Sequence, residues 1–194
     1  MIERVYSLFQ KSVEAKMQVG EELAPLIVAA SEKIVSALLQ ENKILLCGNG
    51  ISAAIAQIFT SALLDRFEKE RPSLPAVWLG STTLTYTAIA ADYSHTEVFA
   101  KPVRALAQEG DILVTISTSG NTGNLVQATA AAHDRNARVI SLTGREGGSI
   151  SSILDDNDLE ICAPLNSRGR IHEIHMLCVF CLCDLIDHQL FGIE

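Results

Sequence analysis

Apolar residues recur at three- and four-residue spacing over the first forty positions, at Ile2, Val5, Leu8, Phe9 and Val13 and again at Leu23, Ile27, Ile34 and Leu38. That period predicts a helical region over 2–39, with Gly20 as the place where the run would be interrupted. Lys43-Ile44-Leu45-Leu46-Cys47 is a short apolar run closed by Gly48-Asn49-Gly50, the pattern of a buried strand and a turn. The alternation then repeats. Helices are predicted over 52–67, 82–106, 121–134 and 169–190, with a short one around Ile150; strands are predicted over 76–79, 111–116, 138–142 and 159–162. Arg71-Pro72-Ser73-Leu74-Pro75 is a loop. Five strands with intervening helices predict an α/β fold: a five-stranded parallel sheet flanked by helices, a flavodoxin-like three-layer sandwich. The whole of 1–194 is expected to be one domain, with 1–40 a helical oligomerisation region and 41–194 the sandwich. A homotetramer is expected, because the apolar stripe of the first helices needs another subunit to cover it.

Composition narrows the function classes. The 194 residues are 48% hydrophobic and only 5% aromatic, enough for one core of packed helices and buried strands. A formal charge of −8 argues against direct nucleic-acid binding, which needs clustered Lys and Arg. It leaves a basic protein partner open. No stretch approaches ~20 uninterrupted apolar residues, so no membrane span is expected. Met1-Ile2-Glu3-Arg4 lacks the order of a signal peptide, and the protein is expected in the cytoplasm. The five cysteines, Cys47, Cys162, Cys178, Cys181 and Cys183, have no framework spacing and read as reduced, mostly buried thiols.

Candidate chemistry lies in two polar loops at strand ends, where an open parallel sheet keeps its ligand cleft. Ile112-Leu113-Val114-Thr115-Ile116 runs straight into Ser117-Thr118-Ser119-Gly120-Asn121-Thr122, and a helix opens after it. Unpaired N–H groups at a helix start, ringed by hydroxyls and with a glycine that permits close approach, form an anion site. The Gly-Lys-Ser/Thr ending of a nucleotide loop is missing, so a phosphomonoester on a small molecule is the expected ligand. The candidate phosphosugar-binding residues are Asn49, Gly50, Ser52, Ser117, Thr118, Ser119 and Thr122. The plainer reading is a helix cap, which needs only one such residue. With no Lys or Arg in the motif, modest affinity is expected.

Ile116-Ser117-Thr118-Ser119-Gly120-Asn121, with Cys47-Gly48-Asn49-Gly50, Arg71-Pro72, Val139-Ile140-Ser141-Leu142-Thr143-Gly144 and Arg170-Ile171-His172-Glu173-Ile174-His175, resembles the SIS (sugar isomerase) domain of the phosphoheptose isomerase group. The resemblance spans nearly the whole chain. It implies the five-stranded sheet and a homotetramer formed through N-terminal helices. It also implies a zinc site, with a His and a Glu on the first sandwich helix and a Gln and a His on the last. Those positions fall on Ile58, Ala62, His172 and Phe180, and a neighbouring family Glu falls on Ser61. One imidazole does not hold a catalytic zinc, so no metal, no cofactor and no catalytic residue is expected. His172, Glu173 and His175 are expected to be helix-surface or subunit-contact residues.

Within the group, residues 66–76, 101–106 and 181–187, with Leu190-Phe191, resemble a non-isomerase branch that binds the replication initiator DnaA. The first expectation for function is therefore a non-catalytic homotetrameric scaffold that binds DnaA and promotes its assembly at the chromosomal origin. The alternative is an enzyme of the phosphoheptose isomerase type, or a sensor of a sugar phosphate such as sedoheptulose 7-phosphate. For the scaffold, Leu190 and Phe191 are expected to form the partner-binding surface. Helical angles place Phe191 near Asp184 and Asp187, an exposed ring with an acidic rim.

Overall fold

The computed structural model describes residues 1–80 and 82–192. Helix α1 (Ile2–Leu39) runs unbroken through Gly20 and Pro25, because packing along α7 (Arg168–Phe191) overrides local propensity. Between them come β1 (Ile44–Gly48), α2 (Ile51–Leu64), β2 (Ala76–Trp78), α3 (Thr83–Asp92), a 3₁₀ turn (His95–Glu97), α4 (Ala100–Leu106), β3 (Ile112–Ile116), α5 (Gly123–His133), β4 (Arg138–Gly144), α6 (Gly148–Ser151) and β5 (Leu159–Ala163). The helical region expected over 82–106 holds two helices with a 3₁₀ turn between them. The chain turns extended at Ser94 and re-enters a helix at Ala100, and Pro102 sits in its first turn.

All strand pairs are parallel, in the order β2-β1-β3-β4-β5. Alternate side chains of each strand feed opposite faces. Ile44, Leu46, Ile112, Val114 and Ile140 join α1, α2 and α7 in one core. Leu45, Cys47, Leu113 and Val139 join α3, α4, α5 and α6 in the other. The order reverses between β1 and β3, which are paired from Ile44↔Ile112 to Gly48↔Ile116. A cleft opens at such a switch point, beyond the strands' carboxyl ends.

Two buried polar joints fix neighbouring elements. Asp111, almost fully buried, accepts from Lys43 Nζ at 2.6 Å and from the amides of Lys43 and Gln108, fixing the start of β3 beside β1. Arg71 reaches from the loop before β2 to Asp187 on α7, Nε to Oδ1 at 2.9 Å, and donates to the carbonyls of Ala62 and Leu63 at the end of α2.

Helix α7 corrects two expectations. It is 24 residues long, and an 18-residue window with mean hydropathy 1.5 makes it long and apolar enough to cross a membrane by length and composition. It is nevertheless a packed helix that buries His172, His175 and Asp187 against the fold. Those histidines are not surface residues, although Glu173 does accept from Arg170 and from Ser12 of α1. Asp187 is not an acidic rim for Phe191, since its carboxylate is occupied by Arg71. Phe191 is 36% exposed and Leu190 packs on the main core. As expected, Gly192 ends the helix in a left-handed conformation, φ +62°.

Before Ala15, α1 leaves Ile2, Val5, Tyr6, Leu8, Phe9 and Val13 exposed. The groove between α1 and α7 is apolar as well, about 530 Å³ in volume, with Phe67 and Phe180 on its wall.

Candidate functional site

The loops after β1 and β3 meet at the switch point around a cavity of about 80 Å³. Its wall is Asn49, Ser52, Ser117, Thr118, Ser119, Thr122 and Arg168, with Ile116 and Leu125 beneath. At ~30 Å³ per water, the space suits a phosphate-sized group with the rest of a ligand outside the mouth. Six of the seven residues singled out from sequence are therefore brought together. Gly50 is not on the wall; its φ of +57° turns the chain from β1 into α2.

Three helices begin at this cavity. Ser52 is in the first turn of α2, Thr122 is the N-cap of α5, and Arg168 is the first residue of α7. None of the three N-cap residues, Gly50, Thr122 or Ser167, makes a side-chain capping bond. The helix-cap reading of the hydroxyls thus fails, and three positive helix ends face one space. Ser117 Oγ accepts from the amide of Gly120 at 3.1 Å and Ser119 Oγ from that of Asn121 at 3.4 Å. Each oxygen is occupied by its own loop, which leaves the hydroxyl proton to donate outward.

The loop is braced from both sides. Asn49 and Asn124 exchange reciprocal amide bonds, Asn49 Nδ2 to Asn124 Oδ1 at 2.9 Å and Asn124 Nδ2 to Asn49 Oδ1 at 3.0 Å, which lock the β1 loop to α5. On the other side Asn121 Oδ1 accepts from the amide and hydroxyl of Ser149, and Gly120 lies against the carbonyl of Gly147.

Sequence reasoning missed Arg168. It lies far along the chain from the loop, and no local motif pairs the two. The loop motif itself holds no Lys or Arg, as expected, but Arg168, from outside the motif, lines the same cavity.

The zinc implied by the family resemblance does not fit these residues. Ile58 and Phe180 are hydrocarbon side chains, each 40% exposed, and Phe180 stacks on Phe67 at 5.7 Å between ring centroids. Ala62 offers only a backbone carbonyl, already taken by Arg71. His172 alone could donate, and one imidazole is not a zinc site.

His172 is 8% exposed, and neither ring nitrogen has a partner. Burial, and then the Arg168 charge, push its pKa below the ordinary histidine value. His175 is fully buried and bonds the carbonyl of Thr143 through Nε2 at 2.7 Å. Burial pushes its pKa down to about 4; the Thr143 bond opposes this, and His172 adds to it. In the unfolded chain the same group titrates near 6.5. Above pH ~6.5 neither state takes the proton and the group has no effect on stability. Between about pH 6.5 and 4 only the unfolded chain binds it, so stability falls, by up to about 3 kcal/mol. Urea unfolding at pH 7 and pH 4.5 should show that loss, and His175→Gln should flatten it. An equal slope in both proteins would assign the loss to other groups.

Comparison with known proteins places this geometry. Residues 8–144 match the model of the SIS domain family. The phosphoheptose isomerase of Chromohalobacter salexigens is 54% identical over 189 residues, 97% of this chain and 96% of that protein. The structure of phosphoheptose isomerase GmhA from Neisseria gonorrhoeae superposes with a TM-score of 0.91 at 43% identity, covering 95% of this chain and 97% of that one. A phosphoheptose isomerase structure from Francisella tularensis gives 0.93 at 43% identity, over 96% and 98%. These findings overturn the expectation of a DnaA-binding scaffold. Relatives at this identity, matched end to end, carry the name of a sugar-phosphate enzyme, and of the two acids expected to rim Phe191 only Asp184 is exposed, Asp187 being buried against Arg71. With its fold, the family model and its full-length relatives in agreement, the chain belongs to the SIS domain family, in the phosphoheptose isomerase group.

Proposed function

We propose that this protein binds the phosphate end of a phosphorylated sugar of the phosphoheptose class, such as sedoheptulose 7-phosphate, in the cavity between β1 and β3. The observation that carries the reading is the meeting of three uncapped helix N-termini with the Ser117–Thr122 hydroxyls around one phosphate-sized space. Thr118, Thr122 and Ser52 add hydroxyl donors, and Asn49, held by Asn124, keeps a second amide proton for the ligand.

Two versions of the reading differ in the fate of the bound sugar. The names of the full-length relatives favour isomerisation. Aldose–ketose isomerisation moves a proton between adjacent carbons and needs an acid, a base and a group that polarises the carbonyl. Ile58, Ala62 and Phe180 supply none of these, and this favours a sensor of the sugar phosphate. Titration with sedoheptulose 7-phosphate should move the amide NMR signals of Ser52 and residues 117–122, with affinity in roughly the 1 μM–1 mM range usual for metabolites. Signals that stay put would sink the proposal. In the same samples the sensor version expects no zinc-dependent conversion to the aldose; turnover abolished by a chelator would decide for the enzyme. The homotetramer is part of this proposal, supported by the exposed apolar stripe of α1, and light scattering on these samples reads it.

A further inference from the structure

The walls of the cavity are neutral except at one point. Asn49, Ser52, Ser117, Thr118, Ser119 and Thr122 carry no charge; Arg168 does. The neighbouring arginine, Arg170, is occupied by Glu173. Arg168 makes no hydrogen bond or ion pair to the described residues; it is exposed and lines the cavity. Its position is locally unfavourable. A cation at the first residue of a helix opposes the positive end of the helix dipole, and the first turn of α7 contains no acidic residue to offset it. An anion held between the α5 and α7 N-termini would reverse the sign of that interaction. His172, one turn further on, does not compete for the role. Burial and the Arg168 charge keep it neutral near pH 7.

We infer that Arg168 is the charge partner of the bound phosphate, and that through it the site selects a phosphorylated sugar over the same sugar without its phosphate. The inference rests on the phosphosugar reading and adds to it the residue that sets selectivity. The hydroxyl loop alone offers neutral donors, which any polyol or anion could engage. The guanidinium adds a charge-assisted, two-pronged contact that only the phosphate can answer.

The test compares wild type, Arg168→Gln and Arg168→Lys in calorimetric titrations with sedoheptulose 7-phosphate and with unphosphorylated sedoheptulose, at low and high salt. Losing a charged hydrogen bond should weaken sedoheptulose 7-phosphate binding by about 10- to 100-fold in Arg168→Gln. Arg168→Lys should fall between the two. Binding of the unphosphorylated sugar should be equally weak in all three, and the salt dependence seen in wild type should shrink in Arg168→Gln. Arg168→Gln should melt at or slightly above the wild-type temperature in the absence of ligand, which separates loss of contact from loss of fold. If wild type binds the phosphorylated sugar and Arg168→Gln binds it equally well, Arg168 is a bystander. A uniform loss for both sugars makes it a general wall residue and overturns the selectivity. No binding by wild type overturns the phosphosugar reading itself, and this inference with it.

Discussion

Arg71→Ala should lower the melting temperature by roughly 6–20 °C. The guanidinium and its partner Asp187 are 2% and 6% exposed, so removing one leaves the other charged and buried, which costs about 3–5 kcal/mol. In a domain of this size each kcal/mol shifts the midpoint by about 2–4 °C. Arg71 also satisfies the carbonyls of Ala62 and Leu63, among the last of α2, so the variant frees the end of that helix as well. Asp187→Ala should cost less than Arg71→Ala, because the guanidinium keeps its carbonyl partners. Replacing both members with apolar residues, as in Arg71→Met with Asp187→Leu, should recover part of the loss, since no unpaired charge is left behind. Single variants that melt within ~2 °C of wild type would show that the joint between α2 and α7 does not depend on this pair.

The second large effect is expected at Gly120. Its φ is +63°, where a side chain costs about 1–2 kcal/mol by itself, and a Cβ there would fall 1.6 Å from the carbonyl oxygen of Gly147, inside bonding distance. Backbone must move. The segment that moves carries Ser117, Ser119 and Thr122, so Gly120→Ala should abolish detectable sugar-phosphate binding and lower stability by about 3 kcal/mol or more. Gly20 is the internal control. It lies mid-helix with open space at its Cβ position, and Gly20→Ala should raise stability by about 0.5–1 kcal/mol. Equal outcomes for the two substitutions would remove the steric argument.

How much of the molecule is legible in the sequence depends on how local each cause is. The strands of the sheet interior are legible because a strand covered on both faces is an unbroken apolar run, as in Ile44-Leu45-Leu46 and Ile112-Leu113-Val114. The phosphate loop is legible because turn, hydroxyls and helix start are consecutive. The break between α3 and α4 escapes the periodicity although Pro102 marks it. Arg168 and Asp187 escape for another reason. Each takes its role from a residue distant in sequence, and helical angle alone places Asp187 on the wrong side. The functional expectation fails at the same level: it weighs short stretches above the end-to-end match, which points to sugar phosphates.

The reciprocal Asn49–Asn124 amide pair bears on chemical ageing. Asn49 is followed by Gly50, and with no Cβ to shield it the next backbone nitrogen is unusually free to attack an asparagine amide and expel ammonia. The first product is a neutral cyclic imide, and water then opens it to a carboxylate at the lip of the cavity. Both polar atoms of the Asn49 amide are held by Asn124, so the side chain cannot swing onto that nitrogen while the fold is intact. The brace that shapes the cavity therefore also sets its shelf life. Each opening of the α5 start exposes Asn49 to a reaction that would place a negative charge on the cavity wall.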